Sequence, residues 1–473
     1  MSVAPTLDHF QQEALSFLAH ADGRAVVADP MGSRKTGTVL AWAAQWPVAR
    51  LLVIAPKAVH GHWAREAAKF HPRAIVQVGK GSKAKRLKAI MDVAGPYPQL
   101  YITTYESMKA DQAHLLAAKF GAVVFDEGHK LKGRTTQVAL SANEFAKACE
   151  HCIIVTGTPV VNHASELWQY LHMMAPDVYT VRGVRRFWLW AEEHFVIELA
   201  HYRNARFPVK VIHGFRQGHE EIVRNQISPW FIQRSYEEMF PGEAWIVEPE
   251  HVEIEVELSA AERKVYDNLV THKWGIVGDT EVMTQNALDL KTRLTQISSD
   301  WGTLDESLAL GTKSEATVEL VLDLLEREER VVVFVKYKAT MRRLTTALRH
   351  KGVVTDWYSG DESPTEHDEC VQRFASGKTD VIVGTLDAMS EGVDGLQHKC
   401  SNVIFLDRYW TSTKNEQAVG RLRRSGQVQV VNVYHVFAKD TVDATITAAC
   451  LRKQNVINMI EGRPLVDVIY GRV

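Results

Sequence analysis

The chain has few cysteines, no long apolar run and almost no net charge, and each shortage excludes something. Five cysteines among 473 residues, an odd count with no apolar leader at the N-terminus, make no disulfide framework and point to a reducing, cytoplasmic setting. Cys149-Glu150-His151-Cys152 supplies half the donors of a zinc site. No second pair lies near it, so these thiols read as buried and structural, at a helix end entering the strand Ile153-Ile154-Val155. No apolar stretch approaches the ~20 residues that span a bilayer, so no membrane contact is expected. A net charge of -2 does not announce a nucleic-acid binder, nor does it exclude one, because a basic groove can be offset by acidic surface elsewhere. Repeats and low-complexity tracts are lacking too. The length allows two or three domains, each with its own core.

What the chain does have is alternation. Short apolar strands alternate with helical patterns: Ala25-Val26-Val27, Leu51-Leu52-Val53-Ile54, Leu100-Tyr101-Ile102, Val123-Val124-Phe125 and Ile153-Ile154-Val155. The pattern returns at Val331–Val335, Val381-Ile382-Val383, Val403–Leu406 and Val430–Val433. It predicts an α/β fold of two parallel-sheet lobes. The expected boundary is the turn signal Pro241-Gly242, giving a lobe over 1–240 with a helical insertion from about 170 and a lobe over 241–473 with a helical insertion to about 310. In the middle segment Arg182, Arg185, Arg186, Arg203 and Arg206 are interleaved with Phe187, Trp188, Trp190 and Tyr202. That mixture suits a phosphate-backbone surface and equally a solvated helix face over a buried aromatic stripe. Lys80, Lys83, Lys85, Arg86 and Lys88 read as a solvated loop and helix start.

Three segments carry the chemistry. Asp126-Glu127-Gly128-His129 follows the apolar run Gly121–Phe125. Two adjacent carboxylates at the end of a buried strand are costly unless a cation meets them. The cation that fits is Mg²⁺ bridging nucleotide phosphates, held by Asp126 while Glu127 orients or deprotonates a water. Upstream, Asp29-Pro30-Met31-Gly32-Ser33-Arg34-Lys35-Thr36 lies between a strand and a helical pattern that runs from Val39. That placement suits a phosphate loop, with backbone N–H groups on the phosphates, Lys35 on the β/γ oxygens and the Thr36 hydroxyl on Mg²⁺. Two usual glycine positions hold Asp29 and Arg34, and only Gly32 is left to turn the backbone. Arg34 is expected to point out of the loop rather than into the nucleotide site. Downstream, the run from Gln417 to Gln427 contains Arg421 and Arg424, three apart and so on one side if helical. Arginines brought to a γ-phosphate from a separate lobe stabilise transition-state charge.

Taken in order, these segments resemble the superfamily 2 helicases, and within them the SWI/SNF-like ATPases, over nearly the whole chain. Leu7-Asp8-His9-Phe10-Gln11 resembles the family's opening motif. Asp29–Thr36 is similar to its Asp-Glu-Met-Gly-x-Gly-Lys-Thr loop, with Pro30 and Arg34 as departures, and Asp126–His129 to its Asp-Glu-x-His box. Ile54-Ala55-Pro56 with Trp63, Ile102–Glu106, Thr156-Gly157-Thr158-Pro159 with Asn162 and Glu166-Leu167-Trp168, and Leu258-Ser259 with Tyr266 follow the same order. So do Thr385, Gly392 and Asp394, with a slightly different spacing before Gly392, then Asp407, Trp410 and Gln417–Gln427.

The resemblance implies two RecA-like lobes and an ATP- and Mg²⁺-dependent translocase on DNA, duplex or branched. Gln11 would read adenine, and Gly32, Ser33, Arg34, Lys35, Thr36, Gly392 and Asp394 would line the nucleotide site. Pro56, Lys57, Thr103, Thr104, Thr385 and Trp410 would touch DNA, while His129, Thr156, Thr158 and Gln417 would couple hydrolysis to lobe movement. A near-minimal chain with no fused reader domain or nuclease is expected, of a phage or bacterial kind by analogy. Two other readings stand beside the motor: a strand-separating or RNA-directed helicase, and a DNA-binding clamp that has lost hydrolysis. Protein partners are not legible.

Overall fold

The computed structural model describes residues 5–46, 49–92, 98–160, 163–181, 184–201, 208–243, 247–390 and 393–461. Among the described residues the chain divides into two compact units, one of residues up to Pro241 together with 455–461, the other from Gly242 to Gln454. The first is built on seven strands: β1 (Arg24–Val27), β2 (Arg50–Ile54), β3 (Ile75–Val78), β4 (Gln99–Thr103), β5 (Ala122–Asp126), β6 (His151–Val155) and β7 (Phe231–Ile232). Their order across the sheet is β7-β1-β6-β5-β2-β4-β3, and every pairing is parallel.

An all-parallel sheet is covered on both faces, which is why its strands read as unbroken apolar runs. Val26, Leu52, Ile54, Val123, Phe125 and Ile154 pack into the core on one face. Ala25, Val27, Leu51, Val53, Val124 and Ile153 pack into the core on the other. The second unit repeats the plan with β8 (Glu250–Val256), β9 (Val331–Val335), β10 (Thr355–Tyr358), β11 (Val381–Thr385), β12 (Asn402–Phe405) and β13 (Asn432–Ala438). The order is β8-β13-β12-β9-β11-β10, again wholly parallel. The α/β architecture of two parallel-sheet lobes expected from the alternation is the architecture observed.

Details differ from the sequence expectation. The last strand begins at Asn432, two residues after the expected Val430, and the strand before it ends at Phe405. Helix α2 (Lys35–Gln45) starts four residues before Val39, because its first turn is polar. In the middle segment Phe187 and Trp190 are buried core residues. The Arg134 guanidinium lies 3.7 Å from the Phe187 ring centre, and Trp188 reaches the surface, where the Lys210 ammonium is 5.0 Å from its ring. Arg182, Tyr202, Arg203 and Arg206, and the side chain of Arg185, lie outside the described residues. The basic run 80–88 forms the helix Lys83–Met91, capped by Ser82. One member is not solvated: Arg86 turns inward to Asp111, with Nε 2.7 Å from Oδ2.

Candidate active site: a braced phosphate loop beside an acid pair

β1, β6 and β5 are neighbours, with Val27 opposite Val155 and Val155 opposite Asp126. Their carboxyl ends therefore bring together the loop from Asp29, the Thr156 segment and the acid pair. Open parallel sheets bind ligands at this edge. Among the described residues no cluster of three or more His, Cys, Asp or Glu side chains could hold a metal alone.

The loop turns at two residues of positive φ. Gly32 has φ +81°. Arg34, at φ 55° and ψ 31°, precedes α2 in a left-handed conformation that an L side chain adopts at a cost of roughly 1–2 kcal/mol. The Arg34 side chain leaves the loop, its Nη1 2.6 Å from Asp8 Oδ2, with both groups partly exposed. Lys35 Nζ donates to Asp29 O and Pro30 O, both at 2.7 Å, and lies 3.1 Å from Ser33 Oγ. Burial lowers the Lys35 pKa against the opposing pull of Asp29, Glu127 and Asp126.

Asp29, buried at 2 % exposure, is gripped by a residue that the motif reading missed. Arg234 donates from its backbone N–H (3.1 Å) and Nε (3.2 Å) to Oδ1, and from Nη2 to Oδ2 at 2.5 Å. Its Nη1 reaches Phe10 O at 2.6 Å and Glu13 Oε2 at 2.9 Å. Tyr236 adds a hydrogen bond from its hydroxyl to Met31 O at 2.9 Å. The available signal was faint: an arginine just after the apolar pair Phe231-Ile232, which forms the edge strand beside β1.

Gln11, the expected adenine reader, is buried at 1 % exposure. Its amide is engaged within the chain: Oε1 accepts from Asp8 N–H at 3.1 Å, and Nε2 lies 3.4 Å from both Arg34 O and Thr38 Oγ1.

Asp126 closes β5. Its Oδ2 accepts from the Trp63 indole N–H at 2.7 Å, and its Oδ1 from the Glu127 N–H at 2.9 Å. The Tyr105 hydroxyl donates to its backbone carbonyl at 2.7 Å. Trp63 is fully buried on α3 (His60–Phe70). Burial, then the neighbouring Glu127 charge, push the Asp126 carboxyl up to about 6. A divalent cation would relieve that repulsion, and Asp126 and the half-buried Thr36 hydroxyl at the start of α2 are the side chains that would hold it. Glu127 sits in a left-handed conformation at φ 55°, its Oε2 3.1 Å from His129 Nδ1. Gly128 has no room for a side chain: an added Cβ would lie 2.2 Å from Ile154 Cγ2. Thr156 and Thr158 are buried, and the Thr158 N–H donates to Thr156 Oγ1 at 3.1 Å.

In the second unit the expected helical placement of the arginines is corrected. The helix Ser412–Val419 ends at Gly420, so Arg421 and Arg424 lie in the turns beyond it. They converge all the same. Arg421, buried, donates to Ser390 O at 2.8 Å and Val393 O at 3.3 Å. Arg424 donates to Asp394 Oδ1 at 2.7 Å. Gln417 is buried on the helix; Gly392 lies outside the described residues. Of the DNA candidates, Pro56, Thr103 and Thr385 are buried, Lys57 is exposed, and Thr104 and Trp410 are half-buried. Thr104 caps the helix Tyr105–Ala110, and the Lys291 ammonium is 5.1 Å from the Trp410 ring.

The lysine loop and the acid pair stand at the carboxyl ends of β1 and β5, on either side of β6 in the parallel sheet. The chain belongs to the family of the SNF2-related domain, whose model matches residues 10–303, and the model of the helicase conserved C-terminal domain matches residues 312–426. It is 20 % identical over 464 residues to an uncharacterized ATP-dependent helicase of Mycoplasma genitalium, covering 95 % of this chain and 42 % of the relative. It is 22 % identical to the CHD3-type chromatin-remodeling factor CHR7 of Arabidopsis thaliana, covering 97 % of this chain and 38 % of the relative. The chain thus spans about two fifths of the length of these curated relatives. The SWI2/SNF2 ATPase core of Sulfolobus solfataricus in complex with dsDNA is similar at 19 % identity and a TM-score of 0.42, over 94 % of this chain and 90 % of that one. No helix among the described residues is long and apolar enough to cross a membrane.

Proposed function

We infer that the chain is an ATP-driven motor that moves along duplex DNA, with residues 1–240 as its nucleotide-binding lobe and 241–473 as its second lobe. The observation that carries this reading is Asp126, a half-buried carboxylate oriented by Trp63 at the end of its strand, at the same edge of the sheet as the Lys35 loop. In this reading Lys35 leaves its loop carbonyls for the β/γ-phosphates, and Asp126 and Thr36 would hold Mg²⁺, which would supply neutralisation of phosphate charge. Glu127 orients the attacking water and takes its proton, with His129 against its carboxylate. Arg421 and Arg424 stabilise transition-state charge. Thr156, Thr158 and Gln417 couple turnover to movement. DNA contact is assigned to Lys57, Thr104 and Trp410, with the buried Pro56, Thr103 and Thr385 shaping the backbone around them.

ATP hydrolysis measured with no nucleic acid, with single-stranded, duplex, forked and four-way DNA, and with RNA tests the reading. Stimulation by duplex DNA is expected. Stimulation by RNA alone, or unwinding of a partial duplex, would replace it with the helicase reading. Lys35→Ala should weaken nucleotide binding and bring hydrolysis to background; unchanged ATP affinity and rate would remove the phosphate-loop assignment. Affinity for duplex DNA should fall steeply with salt and show little sequence preference, because phosphate contacts dominate it. Fluorescence anisotropy across a salt series reads this directly, and a flat response counts against a backbone-tracking motor.

A further inference from the structure

The loop from Asp29 to Thr36 is shaped from outside as well as from within. Three consecutive carbonyls face donors: Asp29 O and Pro30 O accept from Lys35 Nζ at 2.7 Å, and Met31 O accepts from the Tyr236 hydroxyl at 2.9 Å. The first two contacts are local. The third comes from 205 residues away, from a segment already anchored to the loop through Arg234 and the buried Asp29. A carbonyl fixed in this way fixes more than itself. The peptide from Met31 to Gly32 is trans and planar, so its C=O and N–H point opposite ways. With Met31 O turned to Tyr236, the Gly32 N–H is turned away from it. Gly32 is exposed and has no Cβ, so an anion can approach this N–H without meeting a side chain. Turns that include left-handed residues present their N–H groups as concavities for anions, and Gly32 and Arg34 are both left-handed.

Tyr236 is placed for this contact by a rigid frame. It opens the helix Tyr236–Met239, where Ser235 and Glu238 cap each other: the Ser235 N–H donates to Glu238 Oε2 at 2.6 Å, and the Glu238 N–H to Ser235 Oγ at 3.2 Å. Just before it, Arg234 donates to Phe10 O and Glu13 on α1 (His9–His20). Just after it, the Phe240 ring centre lies 4.7 Å from that of Phe10. These contacts hold the segment independently of the Tyr236 hydroxyl. A neutral hydrogen bond contributes about 1 kcal/mol to folding, so its removal at this half-buried tyrosine leaves the fold standing and frees the Met31 peptide to rotate.

We propose that Tyr236 is a positioning residue for phosphate: by holding the Met31 carbonyl it sets the Gly32 N–H toward the anion-accepting side of the loop. This rests on the phosphate-loop reading above. It also gives the segment that leads out of the first unit at Pro241 a hold on the loop. A ligand that orders the loop then orders that segment by the same coupling energy.

The test is equilibrium binding of Mg·ADP and of Mg·pyrophosphate by titration calorimetry, at a temperature well below unfolding. Hydrogen exchange over residues 233–240 is followed alongside by mass spectrometry. Wild type, Tyr236→Phe and Lys35→Ala are compared, and the unfolding temperature of each is recorded. Tyr236→Phe keeps the ring and removes one oxygen. Its affinity for both ligands should fall by a similar factor, about fivefold for one lost hydrogen bond. Bound ADP should slow exchange over 233–240 in wild type, and Tyr236→Phe should lose that protection. A merely structural hydroxyl would lower the unfolding temperature and leave both affinities in place, which overturns the proposal. So does a loss confined to ADP, which would put Tyr236 on the nucleoside rather than on the loop, and so does protection that persists in Tyr236→Phe. If wild type binds no ADP, or Lys35→Ala binds it equally well, the phosphate-loop reading falls and the proposal with it. Lys35-dependent ADP binding with unchanged affinity in Tyr236→Phe removes the role of Tyr236 alone.

Discussion

Glu127→Gln is expected to lower kcat for ATP hydrolysis by roughly 10²–10⁴, the contribution of a positioned general base, while ATP and DNA still bind. The substitution is nearly isosteric, so it leaves the strand end, the Trp63 hydrogen bond to Asp126 and the Lys35 loop in place. It removes the carboxylate oxygen that faces His129 at 3.1 Å and that would accept the water's proton. Steady-state hydrolysis with and without duplex DNA, set beside nucleotide binding by calorimetry, checks both halves of the expectation. A turnover within tenfold of wild type would move the base to another residue.

Arg234→Ala should have the largest effect on stability. Asp29 is buried and receives three hydrogen bonds from Arg234, two from the guanidinium and one from the backbone. Removing one partner of a buried ion pair leaves an uncompensated charge and costs about 3–5 kcal/mol. Arg234→Lys keeps a charge but loses the planar fork, so an intermediate loss is expected. Asp29→Asn, which removes the stranded charge, should recover part of the stability in the double variant. The measurement is the urea midpoint of the first unit's unfolding transition. A change below about 0.5 kcal/mol, the range of ordinary surface substitutions, would show that Asp29 does not depend on this arginine.

Legibility in the sequence followed burial. β1, β2, β4, β5 and β6 could be read because both faces of the sheet are covered, so each strand is a plain apolar run. The edge strands could not. β3 mixes Ile75, exposed, with Gln77, and β8 alternates Glu250, Glu253 and Glu255 with apolar residues. β7 is two residues long. The loop from Asp29 to Arg34 was legible as a strand-to-helix connection from its place between β1 and α2. Its braces were not, since Arg234 and Tyr236 are each 205 residues from the loop atoms they hold. Trp63 and Asp126 were each legible as parts of motifs, but the hydrogen bond between them was not, because the two share no local pattern. The helical reading of Arg421 and Arg424 failed at Gly420, where the helix stops; spacing alone does not show a helix end.

The edge strand β7 has a consequence for the order of assembly. It pairs with β1 at Val26 and Val27 and carries Arg234 just beyond its end, so a growing chain makes Asp29 some two hundred residues before it makes the cation that neutralises it. Contacts of such long sequence separation form late and slowly, because loop closure must precede them. During synthesis from the N-terminus, the first six strands can associate while the loop between β1 and α2 still has a solvated, unpaired carboxylate at its mouth. The last strand to join the first sheet is thus the one that brings the neutralising cation to Asp29, which ties the final shape of the loop to closure of that sheet edge.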